Sequence, residues 1–383
     1  MSVTAPAGFA AAGVEAGLKT SGGKDVALVV NTGPQDVVSA VFTSNRCVAN
    51  PVVWSRQVVS GGRARAVVIN SGGANCYTGP EGFGITHATA ELVATRLGAG
   101  AGEVVVCSTG LIGLLNDRDA LLAGADRAAD ALATGGGQDA AEAIMTTDSH
   151  PKQALVRRDG WSVGGMAKGA GMLAPSLATM LVVLTTDAVA DAATCDAALR
   201  AATRVTFDRL DSDGCQSTND TVVLMASGAS STTPTLPELS EAVTELCHDL
   251  AQQLLHDAEG SEHDISIDVV GAASEDEAVE VGRAIARNNL FKAAVFGRDP
   301  NWGRILAAVG TTEAAFDPTD LDVALNGVWV CRKGMAGEPP DAIDMTDRAV
   351  TVTVDLKAGE HRATVWTNDL THAYVHENSA YSS

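Results

Sequence analysis

The stretch KGAGMLAPSLATMLVVLTTDA, residues 168–188, joins a loop rich in glycine and proline to an uninterrupted apolar run. Thr179 lies at the junction. An apolar run rich in β-branched residues and bounded by turn-forming residues predicts a buried strand. Threonine commonly begins a strand, so the residue types alone favour a structural role for Thr179.

Similar β-rich runs alternate with Ala- and Leu-rich segments of helical periodicity. The runs are VALVVN (26–31), AVFTSN (40–45), AVVIN (66–70), VVVCS (104–108), LVVLTT (181–186) and TVVLMA (221–226). Helices are predicted over 85–97, 118–133 and 193–204. This alternation is typical of a mixed α/β protein.

The stretch SGASSTTPTLPEL (227–239) is rich in serine, threonine and proline, which is typical of a linker. It predicts a main domain over residues 1–234 and a smaller α/β domain over residues 235–345. Residues 346–383 form a last segment, in which AVTVTVDL and RATVWTNDL alternate like the strands of a hairpin.

Composition argues against several partners. The 383 residues include 47 acidic and 26 basic ones, for a formal net charge of −21, and no basic run could follow a phosphate backbone. No stretch approaches the roughly 20 apolar residues of a membrane helix. We therefore expect neither nucleic acid nor a membrane as a partner. The first residues lack the basic start of a signal peptide, so a cytoplasmic location is expected.

Motifs for bound groups are also missing. The eight His and seven Cys residues show no metal-binding spacing, and we expect no metal. No nucleophile elbow, phosphate-binding loop or dinucleotide fingerprint is present, which argues against the familiar hydrolase and nucleotide-binding folds. Small polar loops remain, NSGGANCYTG (70–79), CSTGLIG (107–113) and MTTD (145–148), each of which is more simply an ordinary turn when taken alone.

Chemistry leaves a second interpretation of Thr179 open. A threonine hydroxyl is a weak nucleophile, but the α-amine of an N-terminal threonine can act as its base if the preceding peptide bond is cut. Ala178 and Gly171 place little bulk near that bond, and Pro175 restricts the backbone before it. A strained junction is therefore sterically feasible.

The sequence resembles the ornithine acetyltransferases, also called glutamate N-acetyltransferases, along essentially the whole chain. The shared blocks are AGLKTSGGKDVALV, NSGGAN, STG, MTTD, GGMAKGAGMLAPSLATML, STNDTV, FGRDPNWGRILAAVG and NDLTHAYVHENSAYSS. Members of this family cleave themselves, and the resemblance implies a cut between Ala178 and Thr179 that leaves Thr179 as an N-terminal nucleophile. It also implies a main domain of the N-terminal-nucleophile type, layered helix, sheet, sheet, helix.

The resemblance implies roles for further residues. Thr109 and Gly110 of the STG block correspond to the oxyanion hole, which stabilises the intermediate of acyl transfer. Lys168 is suited to a substrate carboxylate and Glu259 to a substrate ammonium. The implied substrate-binding residues are Thr146, Lys168, Thr179, Glu259, Asn378 and Ser383.

The implied reaction moves an acetyl group from N2-acetyl-L-ornithine to L-glutamate by a ping-pong mechanism through an acetyl-threonine, without a cofactor. The implied partners are these small molecules and the two cleavage fragments, assembled as a heterotetramer of two of each. Two alternatives stay open. One is a self-cleaving threonine amidase or aminopeptidase, in which water takes the acyl group, and the other is a non-catalytic amino-acid-binding protein.

One segment departs from the family pattern. After Glu259 and Gly260 the family usually continues Ala-Thr-Lys, whereas this chain has Ser261, Glu262 and His263. An acidic group is thus added where a basic one is common. If the segment lies near the site, we expect a change in substrate preference or affinity.

Overall fold

The computed structural model describes residues 3–172 and 180–380. Three residues of the predicted site, Ala178, Thr179 and Ser383, lie outside the described residues. The remaining site residues are all described.

Strands and helices alternate along the described chain. The strands are β1 (Phe9–Val14), β2 (Val26–Asn31), β3 (Val37–Phe42), β4 (Ala66–Asn70), β5 (Val104–Ser108), β6 (Lys152–Arg158), β7 (Trp161–Lys168), β8 (Leu181–Thr186), β9 (Thr221–Ala226), β10 (Asp264–Ala272), β11 (Asp322–Leu325), β12 (Val328–Arg332), β13 (Met335–Ala336), β14 (Ala349–Asp355) and β15 (His361–Asn368). The helices are α1 (Asn50–Val59), α2 (Gly79–Leu97), α3 (Arg118–Asp130), α4 (Gly137–Ala143), α5 (Ala192–Val205), α6 (Leu236–His256), α7 (Glu275–Ala286), α8 (Asn289–Phe296), α9 (Trp302–Val309) and α10 (His372–Ala380). Among these described helices, none combines the length and the apolar character needed to cross a membrane.

Two stacked sheets form the centre of the molecule. Their strand orders are β1-β2-β4-β5 and β3-β9-β8-β7-β6. Successive side chains of a strand point to opposite faces of its sheet. In β8, Leu181 and Val183 pack in the core between the two sheets, whereas Val182 and Leu184 pack in the core shared with α5 and α6. The first four residues of β8 are apolar because both of its faces are covered.

Helices cover the outer face of each of these sheets. α5 and α6 pack on the five-stranded sheet, and α2 and α3 pack on the four-stranded sheet. The Thr235 hydroxyl and the Glu238 carboxylate cap the first turn of α6, and Leu246 and Leu250 of this helix are fully buried. The order helix, sheet, sheet, helix confirms the predicted mixed α/β fold and its layers.

A six-stranded sheet forms the rest of the molecule, in the order β13-β12-β11-β14-β10-β15, with α7, α8 and α9 sharing its apolar core. The predicted C-terminal hairpin is wrong. β14 and β15 do not pair with each other, because β10 lies between them, parallel to β14 and antiparallel to β15. Alternation of apolar and polar residues identifies a strand but does not identify its partner.

The boundaries after residues 234 and 345 stay a prediction. Within the predicted smaller domain, α6 contacts α5, β6 and β7 of the stacked sheets rather than the core of the six-stranded sheet. The last helix, α10, follows β15 and returns to the stacked sheets, where two of its residues line a cavity.

Candidate active site

A cavity of about 480 Å³ lies where six segments of the fold meet. These are the loop after β5, the connection from α4 to β6, the end of β7, the loop before β9, the turn after α6, and α10. The cavity is lined by Thr109, Gly110, Leu111, Ile112, Thr146, Thr147, Lys168, Gly171, Met172, Asp213, Cys215, Glu259, Tyr374 and Asn378.

The predicted site residues that the structure describes all line this one cavity. They are Thr109, Gly110, Thr146, Lys168, Glu259 and Asn378. Thr179 is outside the described residues. Leu181 of β8 pairs with Lys168 of β7. The start of β8 therefore lies beside a cavity-lining residue.

Other lining residues were not identified from the sequence. Thr147 follows Thr146 in MTTD, Asp213 and Cys215 lie within four residues before the STND block, and Tyr374 belongs to the closing block. A signal was therefore present, since each lies in or beside a shared block. Membership of a block does not say which side chains face a cavity.

Buried contacts fix the loop that carries Thr109 and Gly110. Gly110 has a φ of +126°, and a Cβ at this position would lie 2.8 Å from the carbonyl oxygen of Gly72. Glycine is therefore required here. The side-chain amide of Asn219 donates to the carbonyl oxygen of Ser108 at 2.8 Å, which holds the backbone just before Thr109.

Lys168 is the last residue of β7 and is only 1% exposed. Its Nζ donates to Thr109 Oγ1 at 3.3 Å. Burial lowers the pKa of this ammonium, and the negative charge of Asp148 opposes that effect. The cavity thus has a buried cation in contact with the loop that carries Thr109.

Asp148 supplies the main negative charge acting on Lys168 and is itself held by neighbouring groups. Its Oδ1 accepts hydrogen bonds from the Gly169 amide at 2.7 Å and from Lys152 Nζ at 2.6 Å, and its Oδ2 accepts from the Thr146 amide at 3.0 Å. Burial alone would raise the pKa of Asp148, but the ammonium groups of Lys168 and Lys152 and these hydrogen bonds lower it to about 2. The carboxylate is therefore ionised at neutral pH.

A second part of the cavity wall is acidic. The side chains of Thr147 and Asn378 lie near the Glu259 carboxylate and favour its charged form, and Tyr374 and Asp213 interact across the same wall. Burial raises the pKa of Glu259, and the nearby charge of Asp213 adds to the rise. A cavity with one buried cation and two carboxylates suits a ligand that carries both charges.

Two glycines allow close approach around Glu259. A Cβ on Gly171 would lie 2.5 Å from Glu259 Oε1, so the carboxylate rests directly against this backbone. Gly260 has a φ of +61°, and a Cβ there would lie 2.3 Å from the Tyr374 amide nitrogen. These contacts bring α10 and the turn after α6 together at the cavity.

Asp220 of the STND block holds the backbone before β8. It is fully buried, and its Oδ1 accepts a hydrogen bond from the Met180 amide at 3.1 Å. Its Oδ2 is buried and has no hydrogen-bond partner in the described part of the chain. Burial raises the pKa of this carboxyl well above its usual range.

The segment that departs from the family pattern does not line this cavity. His263 is buried, and its ring Nδ1 lies 2.7 Å from Asp369 Oδ2. The Ser261 hydroxyl accepts a hydrogen bond from Arg348, and Glu262 is exposed. A change in substrate preference caused by this segment therefore cannot come from residues that line the cavity.

Comparison with known proteins identifies the family. The profile of the ArgJ family matches residues 10–383. Over 383 residues, covering the whole of both chains, this chain is 63% identical to the arginine biosynthesis bifunctional protein ArgJ of Streptomyces avermitilis and 62% identical to that of Thermobifida fusca. A crystal structure of ornithine acetyltransferase complexed with ornithine from Mycobacterium tuberculosis is 54% identical, covers 47% of this chain and 96% of that chain, and has a TM-score of 0.45.

These findings define the class of the protein, which is an acyltransferase with a mixed α/β fold. The cavity, with a small-residue loop, a buried cation and carboxylates, is consistent with that class. The chain belongs to the ArgJ family.

Proposed function

We propose that this enzyme transfers an acetyl group from N2-acetyl-L-ornithine to L-glutamate after it has cleaved itself between Ala178 and Thr179. The observation that carries the proposal is the single cavity in which Lys168, Glu259 and the Thr109 loop meet. Membership of the ArgJ family supports it, because members are described as bifunctional proteins of arginine biosynthesis and one relative as an ornithine acetyltransferase.

In the proposed mechanism, Thr179 Oγ attacks the acetyl carbonyl carbon while the α-amine of Thr179 accepts the hydroxyl proton. The Thr109 hydroxyl and the Gly110 amide donate to the oxyanion of the tetrahedral intermediate. The C–N bond then breaks, and ornithine leaves with a proton on its amine. The amine of glutamate attacks the acetyl-threonine in the second half-reaction, which regenerates Thr179.

Donor and acceptor share an α-amino acid core, so one cavity can serve both half-reactions. Lys168 binds the carboxylate of either substrate, and Glu259 binds the ammonium of the ornithine side chain. Thr146 and Asn378 complete the contacts from the cavity wall, together with Ser383. No metal and no organic cofactor take part in these steps.

Initial-rate kinetics test this function. Double-reciprocal plots at several glutamate concentrations should give parallel lines, because ornithine leaves before glutamate binds. Intersecting lines would contradict the order of steps. Acetate release at the same rate without an amine acceptor would favour the amidase alternative, and saturable ornithine binding without turnover would favour the binding-protein alternative.

We further propose that the two fragments stay together in the cytoplasm as a heterotetramer of two of each. The strand order supports their association, since β8 and β9 of the second fragment lie between β3 and β7 of the first. The seven cysteines are free thiols, which suits a reducing compartment. Mass photometry or sedimentation of the processed protein measures the stoichiometry.

The Glu259→Gln variant should bind the cationic substrate less well. Replacing the carboxylate removes a charge-assisted hydrogen bond, so we expect the KM for N-acetylornithine to rise at least about tenfold, with a smaller effect on kcat. Glu262→Gln is the matched control, because Glu262 is exposed and does not line the cavity. An unchanged KM in Glu259→Gln would remove this residue from the substrate site.

The Gly171→Ala variant should disturb the same carboxylate without disturbing the fold. The nearest described atoms to the added Cβ belong to the Glu259 carboxylate, at 2.5 Å, and a long side chain can move away. We expect a rise in the KM for N-acetylornithine and little change in melting temperature. Gly135→Ala is the control, since a Cβ there meets nothing within 4 Å. Equal KM values for N-acetylornithine in Gly171→Ala and Gly135→Ala would contradict the contact between Gly171 and the Glu259 carboxylate.

A further inference from the structure

We propose that Lys168 is a positioning residue for the oxyanion hole. Its ammonium, kept charged by Asp148, orients the Thr109 hydroxyl so that the hydroxyl hydrogen points toward the developing oxyanion. The inference rests on the proposed acetyl transfer and on the placement of Thr109 in the oxyanion hole. It gives Lys168 a task in addition to binding a substrate carboxylate.

The direction of one hydrogen bond carries the argument. An ammonium has three N–H donors and no acceptor, so Lys168 Nζ can only donate to Thr109 Oγ1, 3.3 Å away. The hydroxyl hydrogen of Thr109 therefore points away from Lys168 and is available to another acceptor in the cavity that both residues line. A neutral amine would accept that hydrogen with its lone pair. The oxyanion hole would then lose one of its two donors.

Asp148 is the main group that keeps this amine protonated. Lys168 is buried, which favours the neutral amine, and Asp148 is the foremost of the charges that favour the ammonium. The Asp148 side chain is fully buried, so water screens the attraction weakly. Its Oδ1 is fixed at 2.7 Å from the amide of Gly169, the residue next to Lys168. The position of the carboxylate is thus set by the backbone.

Other charges face Lys168 from the neighbouring elements. The carboxylates of Glu259 and Asp220 also favour the ammonium, whereas the ammonium of Lys152 disfavours it. Lys19, whose Nζ donates to the Lys24 carbonyl oxygen at 2.8 Å, repels Lys168 as well. When Asp148 is replaced by a neutral residue, the Lys168 ammonium loses its main favourable charge. Burial and the like charges of Lys152 and Lys19 still oppose it. Lys168 then loses its proton at a lower pH than in the wild type.

The test is the pH dependence of kcat in Asp148→Asn and Asp257→Asn. Asp257 is a matched control, because it also accepts from Lys152 Nζ at 2.6 Å and its side chain is only 8% exposed, yet it is not among the main charges acting on Lys168. In the wild type, kcat should fall at high pH as Lys168 loses its proton. The total loss should approach about 100-fold, which is the effect of removing one oxyanion donor. Asp148→Asn should move this fall to lower pH, and Asp257→Asn should leave it in place.

Two further variants keep the inference testable if Asp148→Asn folds poorly. Lys168→Arg should abolish the fall of kcat at high pH, because a guanidinium stays charged there. Thr109→Val should lower kcat by about 100-fold and remove the same pH dependence, because the hydroxyl that Lys168 orients is gone. Thr109→Ser should keep the fall of kcat at high pH, because its hydroxyl can accept the same hydrogen bond from Lys168.

The outcomes separate this inference from the function on which it rests. If the wild type transfers acetyl groups, Asp148→Asn and Asp257→Asn can shift the pH at which kcat falls by the same amount, or not shift it at all. Either result leaves the acetyl transfer in place and overturns the orienting role of Lys168. A fall in kcat that survives in Thr109→Val overturns it as well. A wild type that transfers no acetyl group overturns the proposed function itself. Melting temperatures of all variants identify any loss of kcat that comes from unfolding.

Discussion

The Thr179→Ala variant is expected to remain a single chain of 39.1 kDa and to lose acetyl transfer. Under denaturing conditions the wild type should instead separate into pieces of about 18 and about 21 kDa, in proportion to their lengths. Alanine has no hydroxyl to attack the preceding carbonyl, so the bond stays intact and no N-terminal nucleophile forms. We expect the rate of transfer to fall by more than about 10⁴-fold, as when other enzymes lose their nucleophile.

Intact mass spectrometry of purified protein measures the cleavage, and a transfer assay with N-acetylornithine and glutamate measures the activity. Thr179→Ser is the matched variant, because it keeps a hydroxyl on an N-terminal α-amine and should cleave and retain part of the activity. If the wild type and Thr179→Ala both stay whole after long incubation, the α-amine base of the mechanism does not exist. The non-catalytic binding protein would then be the better interpretation.

The Lys152→Met variant is expected to lose about 3 to 5 kcal/mol of the free energy of unfolding. The Lys152 side chain is fully buried, and its Nζ lies 2.6 Å from both the Asp148 and the Asp257 carboxylates. Removing the ammonium leaves two buried carboxylates without their counter-charge, which is far more costly than losing an exposed pair. Denaturant unfolding should be measured in the Thr179→Ala background, where the chain stays in one piece.

Lys24→Met is the control for this prediction. Lys24 also bridges two carboxylates, Asp139 at 2.5 Å and Glu142 at 2.7 Å, but its side chain is one-third exposed. Exposed ion pairs contribute less than about 1 kcal/mol. Equal losses in Lys152→Met and Lys24→Met would show that burial of the Lys152 network does not stabilise the fold as proposed.

The sequence predicts single elements of this fold better than their partners. LVVLTT indicates β8 because a run that is apolar on both faces suits a strand covered on both sides. The strands β14 and β15 are equally clear from their alternation, yet their pairing is not, because β10 comes from far earlier in the chain and lies between them. Strand pairing depends on packing between distant segments, which local residue patterns do not contain.

The same limit applies to the cavity. Shared blocks indicate Thr109 and Lys168 separately, but the hydrogen bond between their side chains joins residues 59 positions apart. No motif in the sequence indicates a role for Lys152, whereas the fold buries its side chain completely beside two carboxylates. Whether a charged side chain is buried depends on which layers of the fold pack against it. Sequence alone therefore identifies the chemistry of the site but not the network that supports it.

The order of strands in the five-stranded sheet has a consequence for synthesis. If the bond before Thr179 is cut as proposed, β3, β7 and β6 belong to one polypeptide and β9 and β8, which lie between β3 and β7, to the other. The uncut chain folds as one molecule, whereas denatured halves would have to find each other by diffusion before either could complete a sheet. Recovery from denaturation would then depend on protein concentration. Under the proposed cleavage, the mature enzyme is a one-way product of its precursor, whose intact connection is needed for assembly and dispensable afterwards.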